Sequence, residues 1–380
     1  MIYLDHAATT PVRREVLEAM WPYLTGEFGN PSSHHEVGRS AAVAVRDARE
    51  RLADWLGCRA SEIIFTSGGT ESDNLAVKGV ALAQPRGRHI VTSAIEHPAI
   101  LESCDYLERH HGFEITRVGV SAEGLIDPEV VRLALRRDTT LCTMMLANNE
   151  VGAVQPIADI ARIAHEFEVP MHTDAVQAAG SLDLRVEQLG VDALSVSGHK
   201  IGAPKGVGLL FVRGRVPLEA VLHGGGQERR RRSGTENVAG IVGLAAAVEL
   251  TERDRSDRSA RIARARDSFI DAVLATVPDA RLTGPREPRL PASASFCFPG
   301  TSGESVLLRL EERGITCSSG SACAAGSDEP SSVLLALGIE PGVAQTAVRF
   351  TLGDNTTPEE LVEVAGSVRE AVEAVRSLGA

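Results

Sequence analysis

Three short stretches hold residues that can do chemistry together. "SGHK", residues 197–200, follows the strand-like "DALSVS" and leaves Lys200 at a strand end among small and polar neighbours. Alone it reads first as a surface lysine, the usual place for that side chain. "HTDAVQ" sets Asp174 at the end of the apolar strand "VPM". A carboxylate there is costly unless it faces a partner, and the bland alternative is a helix cap. "TSGGTESDN", residues 66–74, runs from a strand through two glycines into a helix start at Thr70. Glycines let backbone amides approach an anion, and a helix start adds partial positive charge. A plain glycine turn with a threonine cap has the same look. Jointly, an amine, a buried acid and an anion cradle are what pyridoxal phosphate requires. A lysine holds its aldehyde as a Schiff base, and an acid keeps its ring nitrogen protonated.

A fourth stretch, "SSGSACAAGSDEP" at residues 318–330, places Cys323 among small, flexible residues. A structural cysteine behaves as a small hydrophobe and sits in a core. This one has almost nothing to bury it, so an exposed loop thiol is expected.

The elements that must position these groups follow from periodicity. Val12, Val16, Leu17, Met20 and Leu24 recur at helical spacing after Pro11, and a longer helical pattern covers residues 37–56. "EIIFTS" leads into a helix near Thr70, and "HIVTS" precedes one from about Pro98. "LCTMML", "VPMHTD", "DALSVS" and "VGLLFV" are short apolar runs bounded by turn residues or polar steps. Apolar strands alternating with helices predict an α/β fold, a mostly parallel sheet covered on both faces. A polar-faced helical stretch is expected over about 236–277. The pattern then restarts with "SASFCF" as strand, "ESVLLRLEERG" as helix, "AVRFTL" as strand and a final helix from Pro358. The expected organisation is a large domain at residues 15–255 and a smaller α+β domain from residues 1–14 and 256–380, carrying the cysteine loop.

The totals narrow the function classes. The 380 residues carry a formal net charge of −12, which argues against direct binding to nucleic acid or to a membrane surface. The amino terminus has no secretory pattern and no segment approaches bilayer length, so a cytoplasmic location is expected. Six cysteines at positions 58, 104, 142, 297, 317 and 323 form no C-x-x-C pair. In a chain this long they imply reduced thiols and no metal site.

The motifs "YLDHAATT", "FGNPSS", "TSGGTESDN", "EHPA", "NNEVG", "HTDAVQ", "SGHK", "HGGGQE", "RSGT" and "SSGSAC" occur in one order along nearly the whole chain. In this the sequence resembles the cysteine desulfurases of the NifS/IscS type, in the class-V aminotransferase group of pyridoxal-phosphate enzymes with fold type I. The resemblance implies that Lys200 holds the cofactor and moves protons on the substrate. It implies that Asp174 pairs with the pyridine nitrogen, that Gln177 bonds the ring oxygen, and that Gly69, Thr70, Ser197 and His199 hold the phosphate. Thr235 matches a residue that reaches the phosphate of the neighbouring subunit, which implies a homodimer. His97 matches a ring-stacking acid–base group, Asn149 a contact to cofactor and substrate, and Arg349 the arginine that binds the substrate carboxylate. Outside the resemblance these three read as a loop histidine, a turn residue and an edge-strand charge.

The same resemblance implies that Cys323 attacks the sulfur of L-cysteine, leaving a persulfide on Cys323 and releasing L-alanine. A nearby base or positive group should assist the thiolate, and His97 is the candidate. The length of the segment after Cys323 resembles the long-loop members, group I, which hand sulfur directly to several acceptor or scaffold proteins. Iron–sulfur cluster assembly, tRNA thiolation and DNA phosphorothioation all draw on such enzymes, and a transient iron–sulfur cluster contact through Cys323 is part of the picture. Cys317 is expected to be a packed strand residue. The arginine run at 229–232 reads as a solvated face. Related lyases, selenocysteine lyase among them, share Lys200 and Asp174 without needing a loop thiol. A non-catalytic sulfur-relay protein is the reading from another class, and the intact lysine, acid and phosphate loop weigh against it.

Overall fold

The computed structural model describes residues 1–83, 86–319 and 329–378, so Cys323 and its immediate neighbours lie outside the described residues. The chain opens with strand β1 (Ile2–Tyr3) and helices α1 (Arg14–Thr25) and α2 (Glu36–Leu56). Strands and helices then alternate through β2 (Ile63–Thr66), α3 (Gly69–Ala83), β3 (His89–Ser93), α4 (Pro98–His111), β4 (Glu114–Val118) and α5 (Pro128–Ala134). They continue with β5 (Thr139–Thr143), α6 (Ile157–Glu166), β6 (Met171–Asp174), α7 (Val186–Leu189), β7 (Ala193–Ser197) and β8 (Gly208–Val212). Strands β2 to β8 form one sheet in the order β2-β8-β7-β6-β5-β3-β4. Only β8 runs against its neighbours, β2 and β7.

The strand sequences explain this arrangement. Strands β2, β3, β5, β6, β7 and β8 are buried at every position, as expected for a sheet with helices on both faces. β4 sits at the edge and is largely exposed or half-buried. Two further helices follow, α8 (Val238–Glu252) and α9 (Arg255–Thr276). The expectation of one polar-faced stretch holds for α9 and fails for α8. Nearly every residue of α8 from Val238 to Val248 is buried, because this helix packs against both α1 and α2 and so has no solvent face to make polar.

The remaining chain builds a second layer with its own core. It contains β9 (Arg281–Leu282), β10 (Ser293–Cys297), α10 (Gly303–Glu311), β11 (Ile315–Thr316) and β12 (Ser318–Ser319). After the cysteine segment come α11 (Ser332–Ala336), α12 (Pro341–Ala344), β13 (Ala347–Thr351) and α13 (Pro358–Leu378). The antiparallel sheet runs β12-β13-β10-β9. Phe269, Phe296, Phe298 and Phe350 fill the space beneath α9 and α13, and the Phe269 and Phe350 rings meet edge-on at 5.3 Å. β1 pairs in parallel with β11, and Leu4 belongs to this second core. The amino terminus thus crosses from the second core back to the first. Among the described residues, no helix is long and apolar enough to cross a membrane.

Candidate active site

An anion cradle forms where β2 ends. Ser67, Gly68, Gly69 and Thr70 line a pocket of about 470 Å³ with Ser197, His199, Lys205 and Thr9. Gly68 takes a φ of 152°, a backbone angle that favours glycine. A Cβ on Gly69 would stand 2.7 Å from a methyl of Val176, so only hydrogen fits there. The pocket therefore gathers the first turn of α3, hydroxyls from Thr70 and Ser197, and the Lys205 side chain. His199 Nδ1 and Thr9 Oγ1 lie 3.1 Å apart. Burial, with Lys200 and Lys205 nearby, pushes His199 down to about 4, so its ring is neutral. Helix amides, hydroxyls and an ammonium form a donor set suited to a phosphate group.

Lys200 stands at the junction with a larger cleft of about 800 Å³, which it lines together with Asn149, Gln177 and Thr9. Its position follows from β7, which ends at Ser197 and leads into a single 3₁₀ turn, Gly198–Lys200. Lys200 Nζ donates to the carbonyls of Ala7 and Ala8, the latter at 2.9 Å. Gln177 Nε2 also donates to Ala7 O, at 3.0 Å. The strap of residues 5–10 thus lies over Lys200 and Gln177.

Asp174 ends β6 and is buried, accepting a hydrogen bond from Val176 N at 2.8 Å. Burial pushes its carboxyl upward, while the Val176 amide, His97 and Lys200 pull the other way. Asp73 is also buried, and its carboxyl is raised by burial and by the charge of Asp174, with the Ser195 hydroxyl opposing. Two carboxyls sharing a dry space do not both ionise, and Asp174 holds the stabilising neighbours. A protonated ring nitrogen facing Asp174 would complete the balance. The cradle, the amine and the acid therefore fit pyridoxal phosphate.

His97 caps α4, its Nδ1 accepting from Ala99 N at 3.1 Å. Burial lowers its pKa, with Asp174 opposing and Lys200 adding to the shift. A neutral ring with Nδ1 committed as acceptor carries its proton on Nε2. In this arrangement His97 offers a donor, and helping to form a thiolate would require release of the Ala99 bond.

Arg349 lies on β13, between β12 and β10, and is 1% exposed. The edge-strand alternative therefore fails, because the strand is internal. Its Nη1 donates to Asn149 O at 2.9 Å and its Nη2 to Asp5 Oδ1 at 2.8 Å, while Nε has no hydrogen-bond partner among the described residues. Asn148 fixes the Asn149 turn through its Oδ1, which accepts from Glu150 N and Val151 N, both at 2.9 Å. Glu150 is tied in turn to the Ser331 hydroxyl at the start of α11.

The structure thus brings Lys200, Asp174, Gln177, Asn149, His97, Gly69, Thr70, Ser197 and His199 to one region, with Arg349 joined through Asn149. Thr235 is exposed and lines neither pocket. Burial pushes Cys58 and Cys104 up to about 12 and Cys297 to about 11, and it raises Cys142 and Cys317 as well. None of these five is a thiolate near neutrality. Cys317 packs against the second core, as expected, but it falls between β11 and β12 and not on a strand. Sequence reasoning assigned no role to Asp5, Ala7, Ala8 or Thr9, although "YLDHAATT" marked their stretch, and it missed Glu71, Asp73 and Glu150.

These features agree with the relatives of the chain. The model of the aminotransferase class-V family matches residues 2–364. A Dictyoglomus turgidum protein named cysteine desulfurase IscS is 47% identical over 378 residues, covering 99% of this chain and 96% of that protein. A solved structure named NifS-like protein superposes with a TM-score of 0.92 at 37% identity, covering 98% of this chain and 99% of that one. The structure of SspA in complex with cysteine gives 0.83 at 38% identity, covering 94% of this chain and 100% of that one. The chain belongs to the class-V aminotransferase family and, within it, to the pyridoxal-phosphate-dependent cysteine desulfurases of the NifS/IscS type.

Proposed function

We propose that the two adjoining pockets act as one site in which L-cysteine becomes L-alanine while its sulfur passes to Cys323. The observation that carries this reading is the meeting of Lys200 with the anion cradle, and buried Asp174 close enough to feel the Lys200 charge. Bound pyridoxal phosphate supplies an aldehyde for amines and a ring that takes up the electron pair released at the substrate Cα. Lys200 removes and returns the Cα proton. Asp174 would hold positive charge on the ring nitrogen of the bound cofactor, and Gln177 would donate to its ring oxygen. Arg349 and Asn149 orient the substrate carboxylate, and the Nε2 proton of His97 is available to the substrate. The Cys323 thiolate attacks the substrate sulfur, the carbon–sulfur bond breaks, and a proton goes to the carbon, so that alanine and a persulfide balance one cysteine and one thiol. An acceptor protein then takes the sulfur.

The cores are read as two domains, residues 15–255, and residues 1–14 with 256–380. A homodimer is proposed because Trp21 and Phe28 are 67% and 73% exposed, and Leu24 and Leu222 are open as well. Thr235, which lines neither of the two pockets described, would serve the neighbour's cradle. A cytoplasmic setting with no direct nucleic-acid contact suits the charge of −12. The test is mass spectrometry of borohydride-treated holoprotein together with product analysis. An adduct on Lys200 is expected, and, with an added reducing thiol to release the persulfide sulfur, alanine and sulfide in equal amounts. Cys323→Ala should keep the yellow colour and lose sulfide release. Release that survives this substitution overturns the persulfide route.

A further inference from the structure

The arginine run at 229–232 is a solvated face only in part: Arg229 and Arg230 are exposed, whereas Arg231 and Arg232 are half-buried. Glu228 is buried and receives the Arg49 guanidinium and the Phe65 amide, while Arg229 donates to Ile63 O. Both acceptor and amide lie on β2, the strand that leads into the cradle. Arg232 turns toward Glu71, with Nε at 2.8 Å from Oε1 and Nη2 at 3.3 Å from Oε2. The two side chains are 21% and 16% exposed. Glu71 lines the cradle beside Thr70, in the first turn of α3, and its Oε2 also accepts from Ser67 N at 2.8 Å.

A carboxylate in that place is a problem if the cradle takes a phosphate, because two anions then compete for one helix start. The two-point ion pair with Arg232 offsets the carboxylate charge, while the Ser67 bond keeps the turn in shape. We propose that Glu71 and Arg232 are a positioning pair for the cofactor phosphate: Glu71 fixes the turn at Ser67, and Arg232 shields the phosphate from Glu71. The proposal rests on reading the cradle as the phosphate site.

The pair predicts a specific order of affinities. Full-length protein stripped of cofactor is titrated with pyridoxal 5′-phosphate and, separately, with pyridoxal, which lacks the phosphate. Arg232→Met leaves a bare carboxylate and should weaken pyridoxal 5′-phosphate roughly ten- to hundredfold, with pyridoxal unchanged. Glu71→Gln keeps an acceptor for Ser67 and leaves the arginine unopposed, so it should bind the phosphate form as tightly as the parent or tighter. The double variant should return close to the parent. Arg232→Lys, a milder change, should cost a few-fold for the phosphate form alone, and it reads the same question if the methionine variant does not fold. Equal weakening of both aldehydes, or a double variant no better than Arg232→Met, overturns the pair and leaves a plain structural brace. A parent chain that binds both aldehydes equally overturns the phosphate reading itself, and the pair with it.

Discussion

The two sides of the proposed site, one for the cofactor and one for the substrate carboxylate, are built in opposite ways. On the first, Asp174 and Ser197 end neighbouring strands and Lys200 lies one turn further on, so the sheet sets their spacing directly. On the second, Arg349 is held by Asp5 and by the carbonyl of Asn149, residues 344 and 200 positions away in sequence. The first is backbone geometry with side chains attached. The second is a chain of contacts through Asp5, Arg349, Asn149, Glu150 and Ser331, each dependent on the next. Damage to the first should therefore strike the chemical step, and damage to the second should strike substrate capture.

Lys200→Ala gives the largest expected effect. Loss of the proton-moving amine should lower the rate of alanine formation by roughly a thousandfold or more, and the borohydride adduct should vanish. Asp174→Asn keeps the shape and removes the charge. It should lower kcat roughly a hundredfold with little change in KM. A rise confined to KM would erase the distinction between the two sides.

The second side is tested with Arg349→Lys, which keeps a charge but loses the planar fork. It should raise KM for cysteine by roughly ten- to a hundredfold, with a smaller change in kcat. Asp5→Asn keeps an acceptor for Nη2 and should raise KM less, roughly threefold to tenfold. Asp5→Ala would leave a buried guanidinium half-paired, and a stability loss of about 3–5 kcal/mol would confuse the reading. If Asp5→Asn moves kcat alone, Asp5 does not act through Arg349.

The contrast also explains what could be read from the sequence. Lys200, Asp174 and the cradle were legible because each sits where an apolar strand stops, and strand ends leave a local pattern. The Asp5–Arg349 pair leaves none, since neither neighbourhood mentions the other. The Ala7 and Ala8 carbonyls are invisible for a different reason, because any residue type provides them. Helix α8 was misread as polar-faced because its burial depends on α1 and α2, far away in sequence. The Glu71–Arg232 pair was hidden in a run of four arginines, of which Arg229 and Arg232 turn to different partners. Cys323, expected as an unburied thiol from its small neighbours, lies outside the described residues.

The smallest expected effect concerns Glu150, the link between the Asn149 turn and α11. Burial pushes its carboxyl up to about 7 from an ordinary 4.5, with the Ser331 hydroxyl and Arg349 pulling downward. Between pH 4.5 and 7 the folded chain keeps a proton there that the unfolded chain has released. Folding stability from this group is therefore greatest below pH 4.5, falls as pH rises across that window, and levels off above 7. The total is a few kcal/mol at most, by the rule of about 1.4 kcal/mol per unit. Glu150→Gln imitates the protonated form at every pH and keeps an acceptor for Ser331. Its melting temperature relative to the parent should rise by a few degrees between pH 5 and pH 8. A constant difference across that range would mean that Glu150 is already ionised in the folded chain, and that the second side carries one more buried charge than its hydrogen bonds suggest.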